Sequence, residues 1–245
     1  MRNIRLLLEY DGTAYHGWQR QKNAGTIQEV VETTLGRLTG AEVRLHASGR
    51  TDAGVHALGQ VANFHTPSSI PLQAFVKGLN SLLPRDIAVL EAREASPEFH
   101  ARYSARAKTY EYRLWCRPVR PPLELRYCWH LTQPLDLEAM AQAAAALPGE
   151  HDFSAFRASG GSPGHAVREV LQAAWHQGTE GRLRFSVTAN GFLRGMVRSL
   201  VGTMVAIGQG KRPPADLAGL LLSGDRHGAG PTALPQGLFL VEVRY

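Results

Sequence analysis

Strand-like and helix-like periodicities alternate twice along this chain, and that order restricts its fold more than any other feature. Residues 4–10 (IRLLLEY) have the pattern of a strand ending at the turn pair Asp11-Gly12. In TIQEVVETTLGRLTG, Thr26 stands three residues ahead of Glu29, a capping-box spacing, and Gly40 is a natural stop. Its apolar residues Ile27, Val30, Val31, Leu35 and Leu38 share one helical face. EVRLHAS and GQVANFH have strand character, PLQAFVKGLNSLLP is helical with Pro71 in its first turn, and IAVLEA is a further strand. The second half repeats the outline loosely. It offers a strand in KTYEYRLW, a helix in DLEAMAQAAAAL and strands in EVLQAAWH and RLRFSVTA. Helices follow in FLRGMVRSLVGTMVAI and PADLAGLLL, and GLFLVEVRY makes a last strand. Only the order of elements recurs, without any repeat in sequence. Hairpin-like pairs of strands in each half predict an α+β fold with mainly antiparallel sheets and helices packed on them. The boundary falls near residues 100–108, giving halves of 1–105 and 106–245 with no low-complexity linker, so the two are expected to pack together.

A hydrophobic content of 44% suffices for a sizeable core. No run approaches the roughly 18 apolar residues of a membrane span, and Glu9 and Asp11 interrupt the N-terminal leucines before a signal-peptide core develops. A soluble, cytoplasmic protein is expected. Two cysteines, Cys116 and Cys128, are too few for a zinc module and point to free thiols, while the ten histidines show no metal-ligand spacing. The charge says more. Lys and Arg total 27 against 21 acids, a net +6, and since only Lys22, Lys77, Lys108 and Lys211 are lysine, 23 are arginine. Guanidinium forks suit phosphate and stack on bases, though genome composition or life at high temperature produces the same bias.

The basic residues are not evenly spread. Arg102, Arg106, Lys108, Arg113, Arg117, Arg120 and Arg126 are interleaved with Tyr103, Tyr110, Tyr112 and Trp115, and residues 181–215 hold six basic residues and no acid. Cations for phosphates and π-faces for unstacked bases are what looped or single-stranded RNA requires. A solvated basic surface over ordinary core aromatics is the alternative. Between two strand-like segments lies ASGRTDAGVHALGQVANFHT (47–66), which crowds Arg50, Thr51, Asp52 and His56 among glycines. An Asp before Ala-Gly is commonly a turn former. Yet Arg50 and Asp52 alternate along an extended stretch, and Gly49 and Gly54 would let a ligand approach the backbone closely.

GRTDAGVHALGQVANF resembles the signature of the TruA family of tRNA pseudouridine synthases. The blocks EYDGTAYHGWQRQ, FHARYSARAKTYEYRL, HDFSAFR, MVRSLVG and GLFLVEV match that family in order, so the resemblance spans essentially the whole chain. It implies the pseudouridine synthase fold, two similar halves around a central basic cleft. It also implies isomerisation of uridine at positions 38, 39 and 40 in the anticodon stem-loop of tRNA, by a homodimer without metal or cofactor. By resemblance Asp52 is the catalytic aspartate and Arg198 its basic partner. Tyr110 stacks on the target base, Arg50 helps hold the flipped nucleotide, and Leu238 lines the uracil pocket. His56 is expected to be structural or an RNA contact, not a proton carrier. Where the family commonly has His and Asn around the MVR triplet, this chain has Gly195 and Ser199, which puts a secondary polar contact in doubt; Arg194 is a candidate substitute.

The chemistry suits these residue types on general grounds. Breaking the N1–C1′ bond passes through an oxocarbenium-like state that a carboxylate can stabilise or trap. A hydrolase needs a second carboxyl as general acid, whereas an isomerase that recaptures the departing base does not. An ionised aspartate is favoured by a nearby guanidinium. A stacked uridine must be extruded before it can react. Alternatives are a non-catalytic RNA-binding or chaperone module, for which the carboxylate would be superfluous, and a glycosylase releasing free base, against which the single carboxylate counts. A small-molecule enzyme suits the basic stretches poorly, and GQGKRPP lacks the spacing of a phosphate loop.

Overall fold

The strands predicted from apolar alternation pair into β-sheet in the computed structural model, which describes residues 1–158 and 165–245. The chain divides into a first unit of Met1–Arg106 with Leu240–Tyr245, and a second of Ala107–Phe239. In the first unit the elements are β1 (Arg2–Tyr10), α1 (Ile27–Thr39), β2 (His46–Ala47), β3 (His56–Thr66), α2 (Leu72–Leu82) and β4 (Ile87–Ala95). The sheet runs β4-β1-β3-β10, with β10 (Leu238–Arg244) supplied from the far end of the chain and β2 paired to β3. β1 is antiparallel to both neighbours, with Leu6 opposite Ala62 on one side and Ala92 on the other. Alternation buries Ile4, Leu6, Leu8 and Tyr10. Against this layer α1 inserts Ile27, Val31 and Leu35, and α2 inserts Phe75 and Leu79, all fully buried. Gly78 of α2 lets the side chain of Leu38 from α1 come close.

Gly40 ends α1 in the left-handed conformation (φ 70°), its N–H bonded to Gly36 O at 2.9 Å. The expected capping box does not form. Thr26 makes no side-chain cap bond and its Oγ1 is buried without a partner, while Glu29 turns to Arg20 at 3.7 Å. The expected strand EVRLHAS shrinks to the two residues of β2, because only His46 and Ala47 reach ladder partners, Asn63 and Ala62. β3 grows to eleven residues, buried along nearly its whole length. Pro71 is the N-cap of α2 and not inside its first turn.

The second unit contains β5 (Ala107–Cys116), β6 (Trp129–Leu131), α3 (Leu137–Ala144), β7 (Gly149–Asp152), β8 (Val167–Gln177), β9 (Arg182–Ala189), α4 (Met196–Gly208) and α5 (Ala215–Ser223). Its sheet order is β5-β9-β8-β7, antiparallel throughout; the short β6 pairs with β5 in parallel. α4 is the core helix, with every residue but Arg198 buried. Asp136 caps α3, accepting the Ala139 N–H at 2.9 Å. Cys116 and Cys128 are free thiols, and burial pushes that of Cys128 up to about 11. No helix among the described residues is long and apolar enough to cross a membrane.

Candidate active site

The Asp52 segment is a turn braced from every side by its own unit. Asp52 O accepts the Val55 N–H at 3.1 Å, and Gly54, at φ 73°, supplies the left-handed third position that a type II turn demands. Asp52 thus takes part in a turn, as aspartates before Ala-Gly commonly do, while its side chain stays half-exposed between the buried Thr51 and the exposed Ala53. Arg50, two residues earlier, is exposed.

Beneath the turn lies a buried polar network. The Tyr10 hydroxyl and Thr51 Oγ1 are 2.8 Å apart. Ser48 Oγ donates to Gln60 Oε1 at 2.7 Å, and Gln60 Nε2 donates to Gly49 O at 3.1 Å. Burial pushes the Tyr10 phenol up to about 12, so it remains a protonated hydroxyl throughout the neutral range. From the other side the segment 11–18 closes over the turn. Trp18 N–H donates to Thr51 O (3.1 Å), and Gly54 N–H donates to Tyr15 O (3.3 Å). Gly17, at φ 89°, lies so close to the Thr51 and Asp52 backbone that a Cβ would collide with it. Trp18 itself is 1% exposed and fixed to α1 through Gln28 N–H, at 3.0 Å from its carbonyl.

His56, at the foot of β3, is buried, and its Nδ1 accepts the Gly12 N–H at 3.1 Å, with Asp11 Oδ1 at the same distance. It locks the 11–12 turn to β3, a structural role. Segment 11–18 is tied in turn to residue 86: Asp11 N–H donates to Asp86 O (2.9 Å) and the Tyr15 hydroxyl to Asp86 Oδ1 (2.7 Å). Tyr10, Gln60 and Gly17 went without a role in the sequence reading, although Tyr10 and Gly17 lie in the block EYDGTAYHGWQRQ. The signal that could have found them is the pairing of β1 with β3, which sets Leu8 opposite Gln60 and Tyr10 opposite Ala57.

In the second unit the expected residues sit on three elements. Alternation along β5 buries Tyr110, Tyr112 and Leu114, and the Tyr110 ring meets Phe192 edge-on, centroids 4.9 Å apart. Tyr112 donates its hydroxyl to Leu234 O at 2.6 Å. Its phenol is pushed well up by burial, with the Arg198 charge opposing. Arg198, the third residue of α4, is half-buried, and its Nε donates to Ala233 O at 2.8 Å, which fixes the guanidinium plane. Ala233 N–H returns a bond to Arg198 O at 3.0 Å. Gly202, one turn further along α4, allows this approach, since a Cβ there would strike the Pro231 carbonyl. Leu238 opens β10 and is 6% exposed, placed by Gly237, which has no room for a Cβ against the Tyr112 ring. The strand thus brings Leu238 and Phe239 to the β5 side, where Phe239 lies under the Arg113 guanidinium at 3.9 Å.

The two departures from the family pattern have physical reasons. Gly195 is left-handed (φ 70°) and a Cβ there would meet the Ala158 side chain. α4 therefore begins at Met196, four residues later than the apolar pattern suggested. Ser199 is buried and its Oγ accepts from Arg226 Nη1 at 2.9 Å; the same nitrogen donates to Ala155 O at 3.2 Å. The polar partner at this position is Arg226.

The chain matches the family model described as tRNA pseudouridine synthase over residues 7–104 and 143–245. Among curated relatives it is 47% identical to tRNA pseudouridine synthase A of Thermoanaerobacter sp. (strain X514) over 245 residues, the whole of both chains. It is 49% identical to the protein of that name from Syntrophotalea carbinolica over 242 residues, covering 99% of this chain and 96% of the other. With the Myxococcus xanthus protein of the same name it shares 51% over 246 residues, all of this chain and 92% of that one.

Proposed function

Since this chain belongs to the tRNA pseudouridine synthase family, we propose that it isomerises uridine to pseudouridine at positions 38, 39 and 40 of the tRNA anticodon stem-loop, with Asp52 as the catalytic carboxylate. The observation that carries the reading is the turn itself. A half-exposed carboxylate is held on a backbone pinned by Trp18, Tyr15, Tyr10 and Gln60, which is the pre-organisation that chemistry at a fixed point requires.

In the reaction the N1–C1′ bond breaks, the base turns, C5 bonds to C1′, C5 loses its proton and N1 gains one. Substrate and product have the same atoms, so no co-reactant enters the balance. Asp52 stabilises or traps the electron-poor C1′. Arg198, held in plane by Ala233 O, serves as its cationic partner. Tyr110, steadied by Phe192, receives the extruded uracil on its ring, Leu238 supplies an apolar wall, and Arg50, exposed beside the turn, grips the nucleotide's phosphate. Family membership also supports a cytoplasmic homodimer.

The test is tritium release from tRNA labelled at C5 of uridine, which the new carbon–carbon bond expels. Asp52→Asn should bind tRNA as wild type does and lose turnover by roughly a thousandfold or more, the scale on which removing one essential group acts. Turnover near wild type would remove Asp52 from the mechanism. Mapping the product uridines checks the target independently: pseudouridine formed only outside 38–40 would overturn the stem-loop assignment and leave the role of Asp52 standing.

A further inference from the structure

A ladder of three rings stands on the surface of the first unit. His46, in β2, lies 4.9 Å from His100, centroid to centroid, and His100 lies 4.4 Å from Tyr103, with interplanar angles of 46° and 38°. Tyr103 is 77% exposed, and the Arg102 guanidinium is 5.7 Å from its ring centre. His100 Nδ1 faces the N–H groups of Arg102 (3.1 Å) and Tyr103 (3.4 Å), so the imidazole fastens the turn that holds Tyr103 outward. Positive charge surrounds the inner end. Burial, and then the charges of His100, Arg44 and His65, lower the pKa of His46. The one acid acting on it, Glu32, is already committed: it accepts from Gln28 Nε2 (2.8 Å) and Leu45 N–H (2.9 Å) and lies 3.7 Å from Arg20.

An exposed tyrosine at the end of such a ladder gains little from folding, since its ring stays in water. The ladder offers a π-face backed by polarisable rings and flanked by guanidinium groups, which is how proteins hold unpaired bases next to their phosphates. We propose that the His46–His100–Tyr103 ladder is a second RNA contact, where Tyr103 stacks on an unpaired or terminal base of the tRNA while Arg44 and Arg102 take the adjoining phosphates. The proposal rests on the family's tRNA substrate and is independent of what Asp52 does. Its place on β3 sets its distance from the turn. His46 pairs with Asn63, seven residues beyond His56, where the Asp52 loop ends, and seven residues of strand span roughly 20 Å. The ladder therefore reaches nucleotides well away from the one presented to Asp52. Tyrosine and arginine also favour protein partners, but the positive charge of the patch and of the chain (+6) selects a polyanion.

The experiment uses full-length tRNA and the intact enzyme. Tyr103→Ala, at a residue with little to lose in folding, should raise both Kd (filter binding at fixed salt) and KM roughly tenfold, within the range for one stacked base, and leave kcat unchanged. Tyr103→Phe, which keeps the ring, should restore both constants. Arg44→Gln should reduce the slope of log K against log salt by about one, as expected for one phosphate contact. Wild-type Kd and KM in Tyr103→Ala would overturn the proposal. So would a shift in sedimentation toward smaller species at unchanged tRNA affinity, because that would assign the ladder to a second copy of the chain. Kd and the salt slope are binding measurements, so inactivity of Asp52→Asn, or its absence, leaves their outcome unaffected.

Discussion

Tyr10 and Gln60 are completely or almost completely buried, yet they determine where Asp52 stands. Tyr10 holds Thr51 and Gln60 holds Ser48 and Gly49, so these three residues on the N-terminal side of the carboxylate are fixed from below. Replacing Tyr10 by Phe keeps the ring and strands the Thr51 hydroxyl beside an apolar edge. The expected cost is roughly 1–2 kcal/mol in denaturant unfolding, the penalty for an unsatisfied buried group. The same variant should lower kcat in the tritium assay more than it raises KM, because the turn and not the RNA surface is loosened. Equal kcat would show that the turn holds without this bond. Asp52 and Arg50 stand out in the sequence because they lie within one contiguous, highly specific block. The Tyr10–Gln60 partnership does not, since fifty positions separate the two and only the β1–β3 register brings them together.

At the scale of elements, periodicity located the helices and missed their ends. The apolar run FLRGMVRSLVGTMVAI extends helical character back to Phe192, but Gly195 takes a left-handed backbone and the helix starts after it. No pattern of side chains encodes that break; it follows from the packing of Ala158 against the loop. Gly195→Ala should therefore cost roughly 1–2 kcal/mol through left-handed strain and the Ala158 contact together, read as a lowered Tm. A Tm equal to wild type would mean the loop relaxes without resistance. Thr26 teaches the converse. The spacing to Glu29 was right for a capping box, yet tertiary demand won, as Arg20 draws Glu29 away and the Thr26 hydroxyl is left buried. β2 was legible as a strand only in its last residues: Val43 and Leu45 are buried like strand residues but lack ladder partners.

For the whole molecule, the antiparallel α+β plan was visible in the order of elements, while the discontinuity of the first unit was not. GLFLVEVRY is one unbroken strand pattern, and nothing in it marks the passage at Phe239–Leu240 from the second unit to the first. Yet residues 240–245 are integral to the first unit. A Cβ on Gly59 of β3 would strike the Val241 carbonyl, Arg106 N–H donates to Arg244 O at 2.8 Å, and the Tyr245 hydroxyl donates to Ala101 O at 2.9 Å. Deleting residues 240–245 should deprotect the β3 amides in hydrogen exchange down to the level of local openings, since β3 loses β10, its ladder neighbour on one side. Full protection of β3 in the shortened chain would show that β10 is dispensable there.

The returning strand also sets a timetable for synthesis. The ribosome delivers β1, β3 and the Asp52 turn early, but the strand that borders β3 emerges only after residues 107–239 have been made. Contacts this distant in sequence are slow to form and cannot be anticipated by a partial chain. Until then β3 has only β1 and β2 as its ladder partners. Among the described strands, the pairing of β10 with β3 is thus the last that synthesis permits.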